Sequence, residues 1–177
     1  DEDKADLYSR RAEVYLLQKN LAAADRLLRY ALGIYKDSEY IGEFYYLTGK
    51  LNEIQGKKNE ALGWYAKATT VAPVPAKIKI YVEARLRMLG TLGLYPEGVE
   101  VLARSRKNQW LGPEALQGWY REFGDGLAGQ DAPSAIDVYL AGVDADMPKD
   151  SKAAQQIHLQ LGELFRKAGD MEKGRGH

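Results

Sequence analysis

Residues that could act in catalysis are scarce in this sequence of 177 residues. It contains no cysteine, which excludes thiolate zinc sites, iron–sulfur clusters and thiol nucleophiles. Of its two histidines, His177 is terminal, and we expect His158 to be a packed or half-buried structural residue rather than a general base. No His-x-x-x-His pair, Gly-x-Ser-x-Gly motif or Walker-type glycine loop occurs. The sequence therefore predicts a protein that is not an enzyme and holds no cofactor or metal.

Two further patterns could suggest a ligand. The glycine-rich stretch 124–129 follows a helical pattern rather than a strand and lacks a following Lys-Ser or Lys-Thr. It therefore predicts a loosened helix end or close helix packing, with a hinge as the functional alternative. The acidic pair Asp144 and Asp146 lacks the oxygen-rich loop that Ca²⁺ requires. We expect both aspartates to be solvated charges at a helix end.

Composition narrows the class of partner. The 25 Lys and Arg balance the 25 Asp and Glu, and a chain without a basic surplus is a poor binder of nucleic acid phosphates. No run approaches the ~20 apolar residues that a membrane-spanning helix needs, so we expect no direct membrane insertion. The acidic start does not resemble a secretory signal. We expect a soluble chain, cytoplasmic or periplasmic, with the compartment left open.

An internal repeat organises the chain. Four segments place a small residue, a large apolar residue four positions later and another small residue three positions after that: Ala24/Leu28/Ala31, Ala61/Tyr65/Ala68, Gly98/Leu102/Ser105 and Ala135/Tyr139/Gly142. Their starts are separated by a constant step of 37 residues. This spacing is one stripe of an α-helix, and small residues on either side of a large one allow a second helix to approach closely.

Helical patterns also precede each of these segments, separated from them by short turns. The unit is therefore a helix–turn–helix, and prolines fall between units, where they can end or open a helix. The predicted helices span residues 3–18, 21–35, 39–55, 58–71, 76–91, 96–107, 113–128, 132–145 and 151–168. The last unit has a first helix, and after the turn Gly169-Asp170 we expect no partner helix for it.

These patterns resemble the tetratricopeptide repeat (TPR) family, whose unit carries Leu-Gly and Tyr on the first helix and Ala, an aromatic residue, Ala and Pro on the second. The last unit matches most plainly, through Leu161-Gly162 and Phe165. The second unit carries a nearly full set of the family's residues: Tyr45, Gly49, Gly56, Ala61, Tyr65, Ala68 and Pro73. In the fourth unit the first-helix register is ambiguous by one, because matching Phe123-Gly124 to Leu-Gly requires a turn one residue shorter.

The resemblance implies an all-α, right-handed α-solenoid that forms one array over residues 1–177. Its repeats cover about 5–38, 42–75, 79–112 and 116–149, with a partial repeat at 155–177. Each unit buries its apolar face on the next, so the last helix, which lacks a partner, is either a cap or the point at which a longer array is cut. The glycine-rich tail favours the cut, so we expect the chain to be a fragment of a longer protein.

Binding residues follow from the same resemblance. In TPR arrays that bind peptides, the first helices line the concave groove, and the side chains one and five positions after the large residue face the ligand. Applied here, this implies a central patch of Tyr46, Lys50, Glu83, Arg87 and Tyr120. Aromatic and arginine side chains dominate interface energetics, so the patch suits a peptide with a charged group. The alternative is that these residues pair with one another, with Lys50 bound to Glu13 or Glu83.

The predicted function is a non-catalytic scaffold that binds a partner protein or peptide segment in its concave groove. An assembly or secretion complex is the setting suggested by analogy with bacterial TPR proteins. Two alternatives remain open. One is a structural module that self-associates through its unpaired last helix. The other is the regulatory or recruiting domain of a larger enzyme.

Overall fold

The computed structural model describes residues 2–71, 75–144 and 146–174. Over these ranges the chain contains helices and no β-strand. The helices are α1 (Glu2–Leu17), α2 (Leu21–Ile34), α3 (Ile41–Ile54), α4 (Lys58–Thr70), α5 (Pro75–Leu92), α6 (Tyr95–Lys107), α7 (Pro113–Ala128), α8 (Ala132–Gly142) and α9 (Lys152–Gly174). The all-α prediction is confirmed, and each predicted helix is present with bounds close to those expected, except at the end of α9.

The last helix is longer than the sequence suggested. We expected it to stop near residue 168, at a Gly169-Asp170 turn, but α9 continues to Gly174. A glycine inside a helix costs only about 1 kcal/mol relative to alanine. Met171, Glu172 and Lys173 follow it in the sequence and are good helix formers. One glycine without a following proline therefore does not end this helix.

The turns within the hairpins share one backbone geometry. Lys19, Gly56 and Gly93 adopt positive φ angles of 56°, 76° and 71°, and they are spaced by the same 37 residues as the buried stripes. In each turn the next amide donates to a carbonyl five residues back, as in Asn20 N to Tyr15 O at 2.8 Å. This is the Schellman ending, which favours glycine at the left-handed position. The turn between α7 and α8 differs, because Asp131 N donates to Leu127 O only four residues back.

The chain divides into two compact units, Asp1–Met88 and Leu89–His177, so the boundary falls inside α5. In the first unit α1 packs with α2, α3 packs with α4, and α3 also contacts α1 and α2. Its core joins the inner sides of these helices, including Ala5, Ala12, Leu16, Ala24, Leu28, Ala31, Phe44, Leu47 and Leu51. The predicted stripes Ala24/Leu28/Ala31 and Ala61/Tyr65/Ala68 are buried.

Small residues allow close helix contacts in the second unit. A Cβ on Gly98 would lie 1.6 Å from the ring of Phe123, and one on Gly124 would lie 2.4 Å from the ring of Tyr139. In the first unit, a Cβ on Gly49 would lie 2.5 Å from the ring of Tyr65. Gly124 in α7 is therefore structurally equivalent to Gly49 in α3, although the turn that follows α7 is one residue shorter. The register ambiguity of the fourth unit is resolved in favour of the Phe123-Gly124 match.

A buried glutamine ties together the second unit. Gln117 on α7 is fully buried, and its Nε2 donates to Gly142 O at 2.8 Å and to Pro148 O at 2.9 Å. The Ser151 hydroxyl donates to Gln117 Oε1 and also accepts from Ala154 N at 2.9 Å. A buried amide is stable only when its donors and acceptor have partners. Gln117 thus holds the end of α8 and the start of α9 against α7.

Candidate functional site

Three of the predicted site residues lie on one surface of the first unit. On α3, residues 43, 46, 50 and 53 form a helical stripe, and side chains of α5 contact this stripe. We call this surface the tyrosine face: Glu43, Tyr46, Lys50 and Glu53 of α3 with Lys77, Tyr81 and Arg87 of α5.

The centre of the tyrosine face is an aromatic cluster. The half-buried ring of Tyr46 has its centroid 5.3 Å from that of Tyr81 and 5.8 Å from that of Tyr65, both in tilted geometry. Tyr65 and Tyr81 are buried. Such aromatic contacts add about 0.5–1.5 kcal/mol each beyond area burial. Tyr46 is therefore held in place by two fixed rings while part of its own ring stays open to solvent.

Two carboxylates flank this cluster in the same way. Glu43 accepts a hydrogen bond from the Tyr81 hydroxyl and another from Lys77 Nζ, both at 2.8 Å. Glu53 accepts from the Tyr65 hydroxyl and from Arg87 Nη2, the latter at 2.9 Å. Each carboxylate thus joins one buried tyrosine to one cation of α5. These charge-assisted bonds fix the side chains before any ligand arrives.

The tyrosine hydroxyls of this face stay protonated. Burial raises the pKa of Tyr65 and of Tyr81 far above the usual value, and the adjacent Glu53 and Glu43 carboxylates raise each pKa further. Burial and the charge of Glu43 also raise the pKa of Tyr46. A phenol in this state stays protonated near neutral pH and does not serve as a general base. The tyrosine face therefore presents protonated phenols, aromatic rings and paired charges.

The cations of the patch have different partners. Lys50 Nζ lies 5.5 Å from the centroid of the Tyr46 ring, a cation–π distance. Over the described residues Lys50 forms no ion pair with Glu13 or Glu83, so that part of the alternative interpretation is wrong. Glu83 instead faces Lys79 at 3.9 Å along α5, and Arg87 pairs with Glu53. Arg87, Tyr46 and Lys50 come together, whereas Glu83 binds within its own helix.

The prediction that Tyr120 belongs to the binding patch is wrong. It lies in the second unit and is only 3% exposed, so it does not face a ligand. A Cβ on Gly142 would lie 2.9 Å from Tyr120 Cβ, which shows how closely α7 and α8 pack there. One residue along an α-helix is a rotation of about 100°, so a register error of one turns a surface position into a core position. With Gly124 equivalent to Gly49, the counterpart of Tyr46 is Arg121, which donates to Gln156.

A charged pocket adjoins the tyrosine face, and the sequence analysis did not find it. It has a volume of about 310 Å³, and its walls come from α1, the segment before α3, α3 and α5: Asp6, Arg10, Glu39, Tyr40, Glu43, Lys77 and Tyr81. Arg10 pairs with Asp6 at 2.8 Å. The i, i+3 spacing of Glu43 and Tyr46 was the signal that could have extended the patch toward this pocket.

The remaining chemical candidates belong to the second unit. His158 is exposed on α9, so the expectation of a packed or half-buried side chain is wrong; the buried stripe of α9 consists of Ala154, Ile157, Leu161 and Leu164. His177 lies outside the described residues. Arg106 pairs with both Asp144 and Asp146, which are therefore not simply solvated charges. Over the described residues, no group of three or more His, Asp or Glu side chains could hold a metal ion.

No protein-family model matches the sequence, and no curated protein matches it either. A search of the described helices for a membrane-spanning segment finds none.

Proposed function

We propose that this chain is a non-catalytic protein-interaction scaffold, and that its tyrosine face binds a segment of a partner protein. The observation that carries the proposal is the environment of Tyr46, a half-buried residue whose ring contacts two buried tyrosines and lies 5.5 Å from Lys50 Nζ. Rigid aromatic anchors near cations are the residues that contribute most to binding energy at protein interfaces.

The hydrogen bonds around the ring favour the same function. Glu43 and Glu53 are already paired with Lys77 and Arg87, so binding does not require these side chains to be ordered anew. Association costs about 0.5–1.5 kcal/mol of binding free energy for each flexible side chain that it immobilises. A preorganised face avoids part of that cost. Arg87 keeps an exposed guanidinium that can also meet a carboxylate of the partner.

The architecture that we propose for the scaffold is the right-handed solenoid of TPR-like hairpins. Its support is the recurrence, at a step of 37 residues, of buried small–large–small stripes and of left-handed turn residues. Identical units at a fixed period are typical of proteins that stack their repeats and bind ligands along one side. In such an array the first helices α1, α3 and α5 would form the wall that carries the tyrosine face.

Affinity capture with a matched pair of charge-reversal variants tests the proposal. Lys50→Glu with Arg87→Glu alters the tyrosine face, while Arg29→Glu with Lys58→Glu makes the same change in charge on exposed sites of α2 and α4. Circular dichroism must show that both variants remain folded. We expect a partner protein captured by the native chain and by the α2/α4 variant to be lost from the tyrosine-face variant.

A photo-crosslinking residue then locates the contact. Glu13 is exposed on α1, and its charge acts on Tyr46, so benzoylphenylalanine at position 13 should crosslink the captured partner. The same residue at position 29 should not. Equal capture by both charge variants, or crosslinking from position 29 alone, would refute binding at the tyrosine face.

A further inference from the structure

The outer side of the α1–α2 hairpin is an uncovered apolar surface, separate from the tyrosine face. The inner side of this hairpin is buried against α3. On the outer side, Leu7, Val14 and Ile34 are exposed, and the ring of Tyr30 is 51% exposed. We call this surface the end face. A contiguous exposed apolar patch marks an interaction site more often than scattered single residues do.

A shallow groove crosses the end face between the two helices. It has a volume of about 360 Å³ and is lined by Tyr8, Arg11, Tyr15, Arg26, Leu27 and Tyr30, together with the small Ala23. The rings of Tyr8 and Tyr30 stack with centroids 5.5 Å apart and an interplanar angle of 29°. Arg11 donates from Nε to the Tyr15 hydroxyl at 3.0 Å. The groove is therefore built from aromatic rings that are already packed on one another.

The two charged side chains that line this groove are both cationic. Arg11 and Arg26 line it, and among its described lining residues there is no carboxylate. Lys4 also lies near, since its charge acts on the Tyr30 hydroxyl; the neighbouring Tyr8 raises the pKa of Tyr30, and Lys4 opposes that rise. Apolar rings framed by cations complement a partner that is apolar along one stripe and acidic beside it.

We propose that the end face binds an amphipathic helix of a partner protein whose apolar stripe is flanked by acidic residues. We propose a helix as the occupant because a helix, α3, already packs against the inner side of the same hairpin, and helices pack by placing ridges of side chains into the grooves of their neighbours. Ala23 allows the helix backbone to approach closely, and Tyr30 and Leu27 meet its apolar stripe. Arg11 and Arg26 pair with its carboxylates.

A second copy of this chain fits the end face less well. If two copies met through their end faces, Lys4, Arg11 and Arg26 of one copy would lie opposite the same three cations of the other. Leu159 and Phe165, two of the exposed apolar residues on other helices, belong to α9, whose exposed described residues include Lys152, Arg166 and Lys167 as well as Glu163. Like charges facing each other across an interface are unfavourable. Charge therefore favours an acidic partner over self-association.

The test uses the full chain and two synthetic helical peptides of equal length with the same stripe of leucine and alanine. Glutamates flank the stripe in one peptide and lysines in the other, and fluorescence anisotropy measures binding at low salt. We expect the glutamate peptide to bind and the lysine peptide not to bind. Arg11→Glu with Arg26→Glu should weaken glutamate-peptide binding about tenfold or more, because two charge pairs are lost, and should permit binding of the lysine peptide.

Two further variants distinguish binding at the end face from binding at the tyrosine face and from a folding defect. Lys50→Glu with Arg87→Glu should leave the glutamate-peptide affinity unchanged, whether or not the tyrosine face binds a partner. Lys4→Glu, at an exposed position of the first turn of α1, should weaken binding without touching Tyr15. Equal affinity for both peptides, no binding of either at millimolar concentration, or a concentration-dependent dimer in sedimentation that Arg26→Glu abolishes would overturn the proposal.

Discussion

The ring of Tyr65 lies so close to Gly49 that a Cβ at that position would be 2.5 Å from Tyr65 Cε1. This contact brings α3 and α4 together and places the Tyr65 hydroxyl at Glu53. It also seats Tyr65 beneath Tyr46 in the tyrosine face. A glycine far from the surface thus positions a surface ring.

We expect Gly49→Ala to destabilise the protein by about 1–3 kcal/mol, because overpacking of a core forces side chains and backbone to shift. Gly63→Ala is the control: Gly63 lies in α4, and a Cβ there would meet nothing within 4 Å. It should stabilise the protein by about 0.5–1 kcal/mol through helix propensity. Urea denaturation of both variants measures the difference, and similar effects of the two substitutions would contradict the packing argument.

Stability should fall at alkaline pH. The pKa values of Tyr65, Tyr81 and Tyr139 are raised in the folded protein, first by burial and then by hydrogen-bonded carboxylates. The unfolded chain loses these protons near pH 10, while the folded protein keeps them. These tyrosines therefore make their full contribution to the free energy of unfolding below pH 10. Above pH 10 the free energy of unfolding decreases, by at most about 1.4 kcal/mol per pH unit for each tyrosine.

Denaturation at several pH values between neutral and strongly alkaline checks this slope. A variant with Tyr65→Phe, Tyr81→Phe and Tyr139→Phe loses hydrogen bonds and starts from lower stability, so the slopes rather than the stabilities are compared. The variant should show a shallower decrease above pH 10. Identical slopes would mean that other groups govern the alkaline transition.

Gln117→Leu should loosen the second unit. The substitution keeps the volume but removes the donor to Gly142 O and Pro148 O. Each buried carbonyl left without a donor costs about 1–3 kcal/mol. Hydrogen exchange should increase between the end of α8 and the start of α9. Gln155→Leu, on the exposed side of α9, is the control and should leave exchange in that segment unchanged.

Tyr120→Ala should act on stability and not on binding at the tyrosine face. A buried aromatic residue truncated to alanine costs about 3–5 kcal/mol. Phe165→Ala removes a ring of the same unit that is 54% exposed, and such surface changes stay within about 0.5 kcal/mol. Thermal unfolding distinguishes the two. A small effect of Tyr120→Ala would indicate that its ring does not contribute to the core.

The periodic features of the chain could be predicted from sequence. Helices and buried stripes follow from the spacing of apolar and small residues, which is a local property. The partners of charged side chains could not be predicted from sequence. Whether Arg87 pairs with Glu53 or with Glu83, for example, depends on how α3 and α5 pack together. The prediction that Tyr120 is exposed was wrong for a related reason. It depended on the helix register, which is set by the contact of Gly124 with Tyr139 across the hairpin.

The boundary between the two compact units, inside α5, affects the choice of fragments for biochemical work. A fragment that ends at Met88 would cut α5 one turn before its natural stop and leave carbonyl groups without their helical donors. Gly93, whose φ of 71° ends the helix, is the better limit on that side. A fragment that begins at Leu89 would lack most of the same helix. The two halves therefore cannot be expressed as adjacent pieces that each keep α5 whole.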